Sequence, residues 1–289
     1  MTVSNLTNAE AWIDALRYPE DDPFILKISD HHKILAELKT AALSRYDEEE
    51  ATLTWKAETI AEVQIKFITA FSQLKKQNFY SAWCHLEQCE ITLNSLKKHH
   101  IISDDDPHRL AYIDNMIARW QSLYPYKVFF SPEILKKKIE CSVCRAPVLP
   151  RSPCGHRKGK IYHGDLCHHI VTEMEILSIS AVENPVQRYS VAFLANPDGT
   201  QKDHYNYSNV KFVSDRLSSP FHGWHSEQTT RKIAASEVAH LPSDHPCPCL
   251  SGAEFSECCI GRSELVVPHL QIAFYVQPEG NFPENELLL

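Results

Sequence analysis

Toward its carboxyl end the chain carries a compact set of cysteines whose spacing suits a metal ion. One residue separates Cys247 from Cys249, and eight further residues lead to the adjacent pair Cys258 and Cys259. Adjacent cysteines rarely bridge to each other, because a relaxed disulfide needs Cα atoms about 5.5 Å apart and neighbouring residues lie closer. Four thiolates can instead complete a tetrahedral shell around zinc. A loop this short has no core, so metal binding would supply its folding energy.

This segment resembles the SEC-C motif, a zinc-binding element found at the carboxyl end of the secretory ATPase and in many small bacterial proteins. The resemblance implies that all four cysteines are ligands. Family members usually have Gly where this chain has Leu250, and several Lys where it has Ala253, Glu254, Ser256 and Glu257. SEC-C elements are linked to the export chaperone and to ribosomes, so the resemblance implies a protein partner of that kind. The acidic replacement argues against contact with ribosomal RNA.

A second cluster lies near the middle of the chain and offers more potential ligands than one zinc ion needs. It begins with Cys141-x-x-Cys144, a turn in which both sulfurs can face one ion, and continues with Cys154-x-His156 and then Cys167. We predict that Cys141, Cys144 and Cys167 bind the ion together with one or both of Cys154 and His156, in a zinc-ribbon-like fold. The predicted cofactor is therefore Zn²⁺, at two sites.

The central region is also similar to a stretch of bacterial SEC-C domain-containing proteins. In those proteins Cys-x-x-Cys, Cys-x-His and Tyr-x-Gly-x-x-Cys follow one another, and here the last pattern is formed by Tyr162, Gly164 and Cys167. The likeness extends to the later segment 212–221 and implies no activity. We expect this cluster to hold its domain together rather than to catalyse a reaction.

A competing interpretation is a zinc-dependent hydrolase or nuclease, with a role in defence. Such an enzyme needs an open coordination position and a general base beside the metal. The candidate residues around the central cluster are His163, Asp165, His168 and His169, with His222 and His225 able to approach it in the fold. Because imidazoles beside a zinc more often orient ligands than catalyse, we favour a binding protein over an enzyme.

Charge gives little support to nucleic-acid binding. The chain has 29 Lys and Arg against 37 Asp and Glu, a net charge of −8, which opposes a surface that neutralises phosphates. The local exception is a set of basic residues near the central cluster, the one candidate nucleic-acid face: Arg157, Lys158, Lys160, Arg145 and residues 136–138. A thiolate site carries negative charge that nearby cations stabilise, and we prefer that explanation.

The sequence favours a cytoplasmic bacterial protein. The amino terminus lacks a basic region followed by an apolar run, and no stretch of ~18 apolar residues suits a membrane. Eight of the 10 cysteines lie in the two clusters, which indicates metal thiolates in a reducing compartment rather than disulfides. The other two, Cys84 and Cys89, fall in a helical pattern and are expected to behave as small buried apolar residues.

Apolar residues at three- and four-residue spacing predict an amino-terminal helical region. The expected helices cover 8–18, a segment after Ser29 or Asp30, 57–77, 80–98 and a segment beginning near Asp106. The third and fourth of these should form an antiparallel hairpin, because only a few residues separate them. His99 and His100 follow that hairpin and are expected to be exposed.

The later part of the chain has strand-like segments. Residues 173–182 and 189–194 are expected to pair across an intervening turn, 209–217 suits a short helix, 226–236 is ambiguous, and 266–276 suits an edge strand. The predicted fold is therefore multidomain α+β. It comprises a helical domain (1–126), a zinc-ribbon-like domain with a small mixed sheet (127–240), the SEC-C segment (241–265), and an edge strand with a mobile tail (266–289).

Overall fold

A computed structural model describes residues 8–19 and 31–277. The fold is α+β, as predicted, and the chain divides into two compact units, the first ending at Ser214 and the second beginning at Asp215. In the described ranges no helix combines the length and the apolar character needed to cross a membrane. The finer division into four segments stays a prediction.

In the described residues, five helices begin the first unit, close to the predicted positions. They are α1 (Ala9–Ala15), α2 (His31–Ser44), α3 (Glu48–Lys75), α4 (Phe79–Leu96) and α5 (Leu110–Ser122). Only three residues join α3 to α4, and the two helices pack along each other as the predicted hairpin. Buried side chains of the three neighbouring helices α3, α4 and α5 include Ile60, Phe67, Leu86, Leu93, Ile113 and Trp120.

Two helix starts differ from the prediction because of their caps. The carboxylate of Asp47 accepts a hydrogen bond from the Glu50 N–H at 3.0 Å, so α3 begins well before residue 57. Three glutamates in its first turn also favour this start, since they interact with the positive end of the helix dipole. The last helix begins later than Asp106, because Arg109 is left-handed, with φ of 59°, and the Asp106 carboxylate accepts the Leu110 N–H.

The cysteines of the hairpin lie largely as expected. Cys89 is fully buried, and its thiol donates to the Val63 carbonyl oxygen at 3.2 Å. Burial raises the pKa of this thiol, so it stays protonated. Cys84 is half-buried.

Within the described part of the first unit the strands form three antiparallel pairs. A long ribbon joins β1 (Phe129–Cys141) to β4 (His169–Val182), and two short hairpins join β2 (Ile161–Tyr162) to β3 (Asp165–Leu166) and β5 (Leu194–Ala195) to β6 (Gln201–Lys202). A short helix, α6 (Ser208–Arg216), confirms the prediction for 209–217.

The predicted pairing of 173–182 with 189–194 is wrong. Residues 173–182 belong to β4, which pairs with β1 from Phe129 opposite Val182 to Cys141 opposite His169. The segment 189–194 instead borders the outer edge of β1, where the Phe130 N–H donates to the Ser190 carbonyl at 2.7 Å. All pairs in the described residues are antiparallel, so the sheet is not mixed as predicted.

The second unit is built on another two-stranded ribbon. Strand β7 (Trp224–Ala234) pairs with β8 (Glu264–Phe274), and Pro268 lies opposite Thr230. The ambiguous segment 226–236 is thus mostly strand, and the predicted strand at 266–276 is confirmed with a shifted start. A single turn of helix, α7 (Phe255–Cys258), follows β7 and precedes β8 in the sequence. It carries Cys258 of the carboxyl-terminal cysteine group.

Candidate metal centres

The carboxyl-terminal cysteines converge on one point. The sulfur atoms of Cys247, Cys249, Cys258 and Cys259 all lie within 4.8 Å of one another. The sulfur of Cys249 is 3.3 Å from that of Cys247 and 3.5 Å from that of Cys258. A tetrahedral shell with metal–sulfur bonds of ~2.3 Å has sulfur atoms roughly 3.8 Å apart, so these four thiols fit one metal ion.

Backbone hydrogen bonds position the two ligand pairs. The Cys247 N–H donates to the Ala253 carbonyl at 2.9 Å, and the Leu250 N–H donates to the Cys247 carbonyl at 2.9 Å. Between the pairs the chain reverses through two left-handed residues, Leu250 with φ of 56° and Gly252 with φ of 85°. Helix α7 then carries Cys258, and Cys259 follows at the end of that helix.

A small apolar core supports this group from one side. The side chains of Cys247 and Cys259 pack in a cluster that also contains Ile233, Val238, Phe255, Leu265 and Val267. Phe255, which the sequence places between the ligand pairs, is buried in that cluster. Two of the candidate ligands, Cys247 and Cys259, therefore share one core with the β7–β8 ribbon.

The ionisation of these thiols indicates what a metal ion would do. A hydrogen bond from the Ser251 side chain, followed by one from Cys247, lowers the pKa of the Cys249 thiol to about 6. Burial first, and then hydrogen bonds with its neighbouring cysteines, raise the pKa of the Cys259 thiol to about 12. The four sulfurs do not all ionise at neutral pH without a cation, whereas a divalent ion stabilises them together as thiolates.

The central cluster forms a second group of four donors. The donor atoms of Cys141, Cys144, Cys154 and His156 lie within 4.8 Å of one another. The fifth predicted ligand, Cys167, lies beside them, with its sulfur 4.0 Å from that of Cys141. The structure therefore brings all five residues together. Beside Cys141 and Cys144, it leaves Cys154, His156 and Cys167 as alternatives for the other two positions of a four-coordinate metal ion.

The imidazole of His156 fits the role of a ligand. Its Nδ1 atom is buried and has no hydrogen-bond partner among the described residues. A buried polar atom without a partner is costly, and coordination to a metal ion would satisfy it. The ring of His156 packs edge-on against Tyr162, with the centroids 4.8 Å apart, which fixes its orientation.

The turn after β1 prepares the first two thiols. The Arg145 N–H donates to the Cys141 carbonyl at 2.9 Å, and Arg145 adopts a left-handed conformation with φ of 60°. The backbone N–H of Cys144 and then that of Val143 bond the Cys141 sulfur and lower its pKa to about 6. Such a turn stabilises a thiolate before the metal ion binds.

Two residues of the competing enzyme interpretation pair with charged side chains of the helices and are not available as free bases beside the central cluster. The His163 Nδ1 atom lies 2.6 Å from a carboxylate oxygen of Glu48, on α3. Asp165 accepts from the Lys39 ammonium at 3.1 Å, and Lys39 also pairs with Glu58 at 2.6 Å. His163 therefore attaches the β2–β3 hairpin to α3, and Asp165 attaches it to α2.

The remaining imidazoles have other surroundings. His168 is exposed, and its Nδ1 atom lies 3.2 Å from the Leu166 carbonyl oxygen. His169 is exposed at the start of β4, opposite Cys141. His222 and His225 belong to the second unit, where His222 lies 3.3 Å from the Ser218 hydroxyl and His225 packs against Tyr275.

Sequence reasoning missed how closely the central hairpin contacts the helices. Gly164 has φ of 67°, and a Cβ atom there would lie 2.9 Å from the Ala51 carbonyl oxygen. The Nε2 atom of His99 lies 2.8 Å from the Gly159 carbonyl oxygen, and its ring meets Trp55 edge-on. His99 is therefore half-buried, and the expectation that it is exposed is wrong. The glycine in Tyr-x-Gly-x-x-Cys was the available signal of this close approach.

The basic residues near this group are partly neutralised. Lys137 pairs with Glu175 at 2.8 Å, and Lys138 pairs with Glu140 at 3.0 Å. The side chains of Arg157, Lys158 and Lys160 are exposed on the loop between His156 and β2. This loop therefore carries three exposed cations of the predicted set.

Comparisons of the chain with protein-family models, with curated proteins and with solved structures find no match. The identification of the two groups as candidate metal sites therefore rests on the geometry of their donor atoms. Each brings together enough sulfur and nitrogen donors to hold a metal ion.

Proposed function

We propose that this chain is a zinc-binding interaction protein of the cytoplasm. Both cysteine groups would hold structural Zn²⁺, and the carboxyl-terminal segment, which resembles SEC-C, would contact a protein partner. The observation that carries the proposal is the convergence of four donors at each of two places. Thiolate and imidazole ligands suit zinc, and a site with four protein ligands is closed to substrate.

The surroundings of the central group support a structural role for its ion. The β2–β3 hairpin lies between His156 and Cys167 and is attached to the helices through His163 and Asp165. An ion bound at the base of this hairpin would fix it in the conformation that fits against α3. We therefore propose that the central zinc ion stabilises the packing of the cysteine loops against the helical hairpin.

A zinc-dependent hydrolase or nuclease remains the alternative for the central group. It requires a water ligand on the metal and a free general base. The pairing of His163 with Glu48 and of Asp165 with Lys39 disfavours these residues as free bases. X-ray absorption of the zinc-loaded protein should give four protein ligands at each cysteine group. A water ligand at the central one would favour the enzyme.

The surface of the carboxyl-terminal segment supports a protein partner. The side chains of Leu250 and Ile260 are 74% and 52% exposed, and Glu254 and Glu257 are exposed beside them. A surface that is both apolar and acidic is complementary to a basic protein segment and repels phosphates. We propose a partner associated with a chaperone, the export machinery or the ribosome, bound through its protein component.

Metal content tests the first half of the proposal. Native mass spectrometry of protein purified without added metal should find zinc at both cysteine groups. The Cys258→Ser, Cys259→Ser variant should lose one ion while the helical signal in circular dichroism is retained. An unchanged metal content in that variant would contradict the assignment of the carboxyl-terminal site.

Charge reversal tests the second half without disturbing the metal. In affinity purification from the native host, the Glu254→Lys, Glu257→Lys variant should lose a partner that the wild type recovers. A Glu183→Lys, Glu227→Lys variant changes exposed acidic residues elsewhere by the same charge and should recover it normally. Equal recovery by both variants would exclude this surface as the contact.

A further inference from the structure

A third set of metal-ligating side chains lies in the first unit, outside both cysteine groups. It consists of His100, Asp106 and His108, and one donor atom of each lies within 4.8 Å of the others. His100 follows the end of α4, whereas Asp106 and His108 lie in the loop that leads into α5. The sequence spacing did not single out this set, because its donors come from two sides of one loop.

The hydrogen bonds of His108 define which of its nitrogens carries a proton. The Nε2 atom lies 2.8 Å from the Ile13 carbonyl oxygen, which can only accept, so Nε2 is the donor. The Nδ1 atom lies 3.2 Å from Oδ1 of Asp106, and an ionised carboxylate also only accepts. In a neutral imidazole two lone pairs would face each other here. A proton shared between the two groups, or a metal ion bound by both, would remove this repulsion.

The partners around these two side chains are those that metal ligands usually have. A coordinating imidazole typically donates its other N–H to a carbonyl, as His108 does to Ile13. A coordinating carboxylate is typically hydrogen-bonded itself, and Oδ2 of Asp106 accepts the Leu110 N–H at 2.8 Å. The two atoms left for a metal ion are Oδ1 of Asp106 and Nδ1 of His108, which lie 3.2 Å apart.

The loop that carries the two residues is rigidly held. The Gln64 side-chain amide donates to the carbonyls of Leu16 and His108 at 2.9 and 3.0 Å. The Tyr18 N–H donates to the Pro107 carbonyl at 2.8 Å. The side chains of His108 and Asp106 are only 6% and 5% exposed. Little conformational entropy would be lost on binding an ion at donors held in this way.

His100 supplies the third donor. Its ring centroid lies 6.3 Å from that of His108, and its imidazole forms no hydrogen bond among the described residues, although its backbone N–H donates to the Leu96 carbonyl at 2.9 Å. It is half-buried, so the site has one side toward solvent. A buried ion pair of protonated His108 with Asp106 would explain those two residues but would give His100 no part.

We propose that His100, Asp106 and His108 bind a divalent first-row transition-metal ion. Two imidazoles and one carboxylate form a donor set known from zinc and non-haem iron sites, in which the remaining positions are open to water. With nitrogen and oxygen donors only, this site is chemically distinct from the two thiolate groups. It stands whether or not the proposed partner function holds.

The test is a cobalt titration of the full-length protein with its cysteine groups already filled with zinc. Wild-type protein should take up one Co²⁺ per chain and develop weak visible bands without sulfur-to-cobalt charge transfer. Exchange at the cysteine groups would instead produce that charge transfer and is recognised by it. Wild-type protein that develops only charge-transfer bands, or no bands, would overturn the proposal.

Variants assign the ligands. The His100→Ala variant leaves the hydrogen bonds of Asp106 and His108 intact, so it should fold normally. It should bind Co²⁺ at least roughly 100-fold more weakly, which is more than the loss of a residue that only hydrogen-bonds a ligand would cause. The Asp106→Asn variant, which keeps an oxygen for the Leu110 N–H, should also bind weakly. The His240→Ala variant removes an exposed imidazole elsewhere and should bind like the wild type. Unchanged binding by His100→Ala would refute the site.

Discussion

The backbone at Leu250 predicts that a glycine there stabilises the carboxyl-terminal metal centre. Leu250 has φ of 56°, a left-handed conformation that costs a residue with a side chain about 1–2 kcal/mol. Its side chain is 74% exposed, so truncation forfeits little apolar burial. Glycine loses roughly 0.5–1 kcal/mol more backbone entropy on folding. The net expectation for Leu250→Gly is a stabilisation of about 0.5–1 kcal/mol.

Two measurements report this change. In a unit of this size 1 kcal/mol corresponds to roughly 4–8 °C in Tm, so thermal unfolding of the zinc-loaded protein should shift upward by about 2–8 °C. Metal binding is coupled to folding of the loop, and competition with a chelator should therefore show about 2–5-fold tighter zinc retention.

The reverse substitution two residues later is the matched control. Gly252 has φ of 85°, and a Cβ atom there would meet nothing within 4 Å. Gly252→Ala should therefore destabilise the centre by about 0.5–1 kcal/mol, which is the cost of the left-handed conformation less the backbone entropy that alanine saves. A lower Tm for Leu250→Gly, or an unchanged Tm for Gly252→Ala, would refute the reasoning that backbone conformation sets the stability of this loop.

Three further predictions concern the first unit and the metal ions. Gly164→Ala should destabilise it by about 2 kcal/mol in urea unfolding, because the new Cβ would lie 2.9 Å from the Ala51 carbonyl oxygen, whereas Gly159→Ala meets no atom within 4 Å and should cost less. Cys154→Ser should lower central zinc retention more than Cys167→Ser, since Cys154 belongs to the set of four donors within 4.8 Å; the opposite order in native mass spectrometry would identify Cys167 as the ligand. Removing zinc with a strong chelator should speed hydrogen exchange throughout the carboxyl-terminal cysteine loop while the buried amides of α3 stay protected; uniform protection after chelation would show that the loop folds without metal.

The sequence was most informative where contacts are local. Cys247 and Cys259 lie twelve positions apart in the chain, and a spacing this close is compatible with the shared group that the structure contains. The helices were likewise predicted from apolar periodicity, with errors only at capped ends such as Asp47, where the carboxylate extends the helix. Local chemistry and periodic burial are both written in short stretches of sequence.

The errors arose where distant segments decide. Strand β4 could pair with the neighbouring 189–194 or with β1, and only the fold selects β1. Strand β7 is polar on both faces between Trp224 and Ile233, so its sequence lacks the apolar alternation that would separate a strand from a helix. The partner of His163 is Glu48, far away in sequence, and no spacing rule predicts that contact.

Leu250 connects stability and the proposed function at one residue. If the chain retained Leu there only by drift, glycine would be neutral for partner binding and better for the metal centre. The proposed contact surface includes this exposed side chain. Its removal should therefore weaken partner binding while strengthening zinc retention. Opposite changes in the two measurements on Leu250→Gly would mean that the left-handed leucine is kept for recognition. Parallel changes would mean that the partner recognises only the folded loop.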